Sequence, residues 1–81
     1  MNYNLKTLEE LQQLITENTN KLIKLYNIKN NSYIELKGNE QDTLLENINN
    51  IKKTSLLNFV YLVDIDDNYI NIWVSPVVES A

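Results

Sequence analysis

The sequence predicts a small two-layer α+β domain in the order α-β-α-β-β, with two helices packed on one face of a mostly antiparallel sheet. Three observations lead there. Two segments repeat apolar residues at helical spacing, and two others alternate apolar and polar residues as half-buried strands do. The 81 residues hold only one Gly and one Pro, which leaves no linker, so residues 1–81 read as a single domain.

The first helix is expected in NLKTLEELQQLITENTNKLIKLYN, residues 4–27. Thr7 and Glu10 have capping-box spacing, Glu9 and Glu10 suit the positive end of the helix dipole, and Lys21 and Lys24 suit the other. Leu8, Leu11, Ile15, Leu22 and Tyr26 share one helical face, widened by Leu14, Ile23 and Leu25. Residues 16–21 carry no apolar side chain, so the helix either passes a sheet edge there or breaks into two pieces. Leu8, Leu11, Ile15, Asn18, Leu22 and Leu25 also fit a heptad frame, which would allow a homodimer through this helix with Asn18 setting the register.

KNNS, residues 29–32, signals a turn, and SYIELKG places Ile34 and Leu36 on one side of a strand with Tyr33, Glu35 and Lys37 on the other. Gly38 is expected to let the chain reverse into a second helix over 39–53, with Asn39 as its cap and acids first, bases last. Its buried stripe is Leu44, Leu45, Ile48 and Ile51.

Residues 54–78 form two β-rich runs. With Asp67 and Asn68 as a two-residue hairpin loop, Ile65 faces Ile70, Val63 faces Ile72 and Tyr61 faces Val74, which buries one wholly apolar face. A slip by one residue would set Val63 against Asn71 and mix the faces. Pro76 should end regular pairing or hold the last residues at an edge.

The chain contains no Cys and no His, which removes the usual thiolate nucleophile, general base and transition-metal ligand, so no enzyme activity and no cofactor are expected. All seven basic residues are Lys, and the net charge is −4, which argues against direct nucleic-acid binding. No apolar run approaches the roughly 20 residues of a membrane span, so no membrane association is expected and the cytoplasm, of a bacterial host cell, is the anticipated location.

The sharpest chemical question is raised by DIDDN, residues 64–68. Asp64, Asp66 and Asn68 have the 1, 3, 5 spacing of a calcium loop, but Tyr69 stands where that loop needs Gly and Ser75 where it needs Glu. A turn that uses Asp and Asn for their tolerance of left-handed backbone is the simpler reading, and no metal site is expected. Charge is more telling. Residues 1–53 balance seven acids with seven lysines, whereas Asp64, Asp66, Asp67 and Glu79 carry the whole net charge. The second face of the hairpin holds Val60, Leu62, Asp64 and Asp66 opposite Tyr69, Asn71 and Trp73. An aromatic pair beside carboxylates on a rigid ribbon suits a protein-binding site, so Asp64, Asp66, Asp67, Tyr69, Asn71 and Trp73 are the expected contacts for a partner with a basic surface. The competing reading makes Trp73 a core residue and the aspartates a guard against edge aggregation.

In type, a short acidic chain without His, Cys or catalytic motif is similar to small phage-encoded inhibitors of bacterial defence, anti-CRISPR proteins among them, and to the antitoxins and immunity proteins that neutralise nucleases. The resemblance is to a class and carries no residue role. It implies an inhibitor that blocks a basic, nucleic-acid-binding surface of a host effector, with an antitoxin-like protein or a homodimeric assembly subunit as the alternative.

Overall fold

The computed structural model describes residues 2–53 and 58–77. It is an α+β domain with the elements β1 (Asn2–Leu5), α1 (Leu8–Thr16), β2 (Leu22–Asn27), β3 (Ser32–Leu36), α2 (Gln41–Lys52), β4 (Phe59–Ile65) and β5 (Tyr69–Pro76). The five strands form one mixed sheet in the order β1-β4-β5-β2-β3, with β2 and β5 parallel and the other neighbours antiparallel. The expected order therefore lacked two strands, one before the first helix and one directly after it.

The start of α1 follows its local chemistry. Thr7 is the N-cap, its hydroxyl accepting the Glu10 backbone N–H at 3.2 Å and reaching the Glu10 carboxylate at 3.1 Å. The end comes eleven residues earlier than expected, at Thr16. Two polar side chains compete for the last backbone carbonyls: Thr16 Oγ1 donates to the Gln12 carbonyl at 2.9 Å, and Asn18 Nδ2 to the Leu14 carbonyl at 2.8 Å. With no apolar residue over 16–21 to keep a helical face on the core, nothing offsets the cost of continuing. The chain turns and enters the sheet as β2, burying Ile23 and Leu25 and turning Leu22, Lys24 and Tyr26 the other way. The heptad seam disappears with the helix. Asn18, Leu22 and Leu25 lie outside α1, and Leu11 and Ile15 are buried in the chain's own core.

The β4–β5 register is the expected one: Ile65 opposite Ile70, Val63 opposite Ile72, Tyr61 opposite Val74. Its anticipated beginning at Thr54 and end at Val78 lie outside the described residues, as does Glu79. Pro76 is the last residue of β5, paired with Phe59.

Gly38 works through space rather than through left-handed backbone. No glycine has positive φ, and a Cβ at Gly38 would stand 3.3 Å from the Thr19 carbonyl oxygen, so the residue lets the turn after β3 lie against the turn after α1. Asn31, with φ 57°, is the left-handed residue of the β2–β3 turn. The cap of α2 is Glu40 and not Asn39. Its carboxylate accepts the Lys37 backbone N–H at 2.7 Å instead of capping the helix, and α2 begins at Gln41.

Leu11, Leu14 and Ile15 of α1 and Leu44 and Ile48 of α2 form one cluster with Ile23, Leu25, Tyr61, Val63, Ile70, Ile72 and Val74. These strand residues share one face of the sheet, so both helices cover the same side. Lys52 fastens the end of α2 to that side by donating to the Tyr61 hydroxyl at 2.9 Å. Among the described residues the opposite face carries no helix.

Candidate functional site

The helix-free face is built by strand pleating. Registers place Asn4, Leu62, Trp73, Tyr26 and Tyr33 in one row across all five strands. The next row runs Asn2, Asp64, Asn71, Lys24 and Glu35, and beyond it Tyr69 lies beside Leu22. Tyr26 stacks on Trp73 with ring centroids 4.6 Å apart and planes 12° from parallel, and Tyr33 leans on Tyr26 at 5.3 Å and 41°. The Lys24 ammonium lies 3.9 Å from the centre of the Tyr69 ring and 5.1 Å from that of Tyr33.

From Leu62 to Tyr33 the first row is apolar or aromatic and accessible, with Leu62 39% and Tyr33 54% exposed and Trp73 and Tyr26 half-buried, as is Tyr69 beyond it. Trp73 forms the ridge between two shallow depressions. One is lined by Asn2, Asn4, Leu62 and Asp64, the other by Tyr26, Ile28, Asn31 and Tyr33.

Asn71 holds this surface from beneath. It is 7% exposed and the one buried polar residue among those described. Its Oδ1 accepts the Tyr26 hydroxyl at 3.0 Å, and its Nδ2 donates to the Asp64 carbonyl at 3.1 Å and to Asp66 Oδ2 at 3.2 Å. One amide thus ties β2, β4 and the hairpin tip together. Its side-chain amide is spent on partners within the chain.

Asp66 latches the hairpin. Its Oδ1 accepts the backbone N–H groups of Asn68 at 2.9 Å and Tyr69 at 2.7 Å, and the Asp66 N–H closes the loop onto the Tyr69 carbonyl at 3.0 Å. Asp67 and Asn68 form the two-residue loop, but neither has positive φ, so it is the carboxylate that shapes the turn and not left-handed tolerance. The loop is also pinned to the start of β2, since Leu22 N–H reaches the Asn68 carbonyl at 3.1 Å and Lys21 Nζ the Asp66 carbonyl at 2.6 Å.

The backbone bonds from Asn68 and Tyr69 hold the Asp66 carboxyl below its ordinary value of 3.8, with smaller help from Asn71 and Lys21. A depressed folded-state value means that the ionised form stabilises the fold. That contribution is complete above the unfolded-state value and is lost as pH falls through the folded-state one. Urea unfolding followed from about pH 6 to about pH 2 should therefore lose stability below pH 3.8. Asp66→Asn keeps an acceptor for the turn and should flatten this acid limb, whereas Asp66→Ala should lower the midpoint at every pH. Coincident acid limbs for wild type and Asp66→Asn would contradict the latch.

Of the six expected contact residues, Asp64, Asp66, Tyr69, Asn71 and Trp73 are brought together on this face, with Asp67 exposed at its tip. Tyr26 and Lys24 were not anticipated, because the expected helix over residues 4–27 hid β2, and Tyr33, expected on a strand, was not joined to this site because β2 is what links β3 to the hairpin. The alternation in LIKLYN was the available signal. The tip is also less acidic in space than along the chain. Parallel pairing of β2 with β5 sets Lys24 opposite Asn71 with its ammonium over Tyr69, and Lys21 Nζ reaches the Asp66 carbonyl. Among the described residues no group of three acidic, His or Cys side chains is arranged to hold a metal ion, and no helix is long and apolar enough to cross a membrane.

Comparison with family models, with curated proteins and with solved structures finds no match for this chain.

Proposed function

We propose that this chain is a stoichiometric protein-binding module that docks a partner on the helix-free face of its sheet. One observation carries the reading: an accessible row of Leu62, Trp73, Tyr26 and Tyr33 is held rigid by a buried amide. Aromatic side chains that are already ordered lose little entropy on binding, and Trp73, standing between two depressions, has the setting of a hot-spot residue.

Ring geometry favours a protein over a nucleic acid or a sugar. Those ligands stack on free ring faces, whereas Tyr26 and Trp73 already spend a face on each other and Lys24 covers Tyr69. The apolar edges that remain suit side chains of a protein. Asp64, Asp66 and Asp67 at the rim, with a chain net charge of −4, favour a partner with basic residues around its contact patch. Inhibition of a nucleic-acid-binding effector in a bacterial cytoplasm, in the manner of anti-defence proteins, is the role that best fits such a pairing.

The rim charges can be tested once a partner is captured from a bacterial lysate. Asp67→Lys combined with Asp64→Lys should slow association by about tenfold at low salt and flatten its salt dependence, with little change in melting temperature. Asp66 is left in place because it latches the turn. An unchanged association rate, together with loss of binding in Glu17→Lys at the end of α1, would move the site to the helical side.

A further inference from the structure

We infer that the depression between β1 and Trp73 is a subsite for one arginine side chain of the partner, its stem against Leu62 and the indole and its guanidinium on Asp64. The inference rests on the docking role of the helix-free face and names what that face selects. Trp73 stands between two depressions that differ in charge. The one beside Tyr26, Ile28 and Tyr33 is lined by no charged side chain. The other, of about 480 Å³, has room for one long side chain and is lined by Leu62, Trp73, Asn2, Asn4 and Asp64. Asp64 is the one group in that lining that is ionised at neutral pH.

Strand geometry sets the order in which an incoming side chain meets these groups. Leu62 and Trp73 are cross-strand partners, and Asp64 lies two residues along β4 from Leu62, about 7 Å away on the same face. Tyr26 covers one face of the indole, and this depression opens on its other flank, toward Leu62. A side chain laid along β4 therefore runs over Leu62 and the indole and ends at the carboxylate. An aliphatic side chain would fill the same wall but strip water from Asp64 without replacing it, which is costly. A cation replaces it, and guanidinium fits better than ammonium. It is planar, stacks on an aromatic ring, and forks two donors onto a carboxylate, with others left for the amide oxygens of Asn2 and Asn4 on the far wall. A carboxylate accepts several donors at once, so Asp64 can take both prongs of the fork whatever else it holds. A nucleotide would bring its phosphate against the same carboxylate, so the charge that selects arginine also rejects nucleic acid.

The probe is the tripeptide acetyl-Gly-Arg-Gly-amide, with its lysine and citrulline counterparts, titrated at constant ionic strength while the indole N–H resonance of Trp73, the chain's one tryptophan, is followed by NMR. The arginine peptide should shift that resonance saturably, with a Kd of about 1–20 mM for a ligand so small. Citrulline keeps the shape and loses the charge, whereas lysine keeps the charge and loses the fork, so each should bind at least about fivefold more weakly. Asp64→Asn should bring the arginine peptide down to the citrulline level, and Asp67→Asn at the hairpin tip should leave it within about twofold. The peptides are compared on the unaltered chain, so the outcome does not depend on the folding of a variant. No saturation, equal binding of arginine and citrulline or of arginine and lysine, or full arginine binding by Asp64→Asn overturns the subsite. Its failure is distinct from failure of the docking role. If the arginine peptide fails while Trp73→Ala still releases a captured partner, the subsite falls and the docking face stands; if the peptide binds while Trp73→Ala keeps the partner, the docking role falls and the subsite stands.

Discussion

Ile72→Ala is expected to lower the unfolding free energy by about 2–5 kcal/mol, enough to unfold much of the population of so small a domain. Ile72 is fully buried on β5, opposite Val63 of β4 and beside Leu25 of β2. Deleting three carbons there removes apolar burial and leaves a cavity between sheet and helices, because the two flanking strands, β4 and β2, fix the backbone and the site cannot collapse. With 81 residues the domain has one core and no disulfide to share the loss. Urea denaturation followed by Trp73 fluorescence checks the value. A loss below about 1 kcal/mol would mean that β5 does not lie at the centre of the sheet.

The neighbouring substitution, Trp73→Ala, is expected to act on binding. Its side chain leaves the same strand toward the helix-free face, where it stacks on Tyr26 and is only half-buried. Loss of that stacking should cost the fold about 1 kcal/mol. Affinity for a captured partner should fall by more, about 2 kcal/mol or above, because the indole is the ridge between the two depressions and its removal exposes both sides of the contact to water. Most of that loss should appear as faster dissociation. Adjacent residues of one strand thus separate stability from recognition, as the period-two geometry of a strand requires.

The hairpin was legible before the fold because its chemistry is local and one-sided. Only one register brings Ile65, Val63 and Tyr61 opposite Ile70, Ile72 and Val74, and the period of two then sets Tyr69, Asn71 and Trp73 of β5 together on the other face. Residues 22–26 were not legible in the same way. Leu22, Ile23, Leu25 and Tyr26 satisfy a helical spacing as well as an alternating one, and a strand between two others carries apolar residues on both faces. The arbiter was tertiary: β5 and β3 both lacked a neighbour, and β2 fills the space between them. The polar run before it was the one local hint, since a helix on a core cannot spend residues 16–21 without an apolar side chain. Half of the candidate site followed β2 out of view. Asp66 and Asn71 changed meaning for a related reason. From sequence both were contact residues, but hydrogen bonds that only the folded chain makes turn one into a latch and the other into a support.

A calorimetric titration of the captured partner against wild type, Trp73→Ala and Glu46→Lys, all below their melting transitions, tests the central claim that recognition belongs to the helix-free face. Glu46 is an exposed residue of α2, on the covered side of the sheet. Wild type should bind one-to-one per chain, Glu46→Lys should keep that affinity within about twofold, and Trp73→Ala should lose at least about thirtyfold. Full affinity in Trp73→Ala with loss in Glu46→Lys would contradict it and assign recognition to the helices.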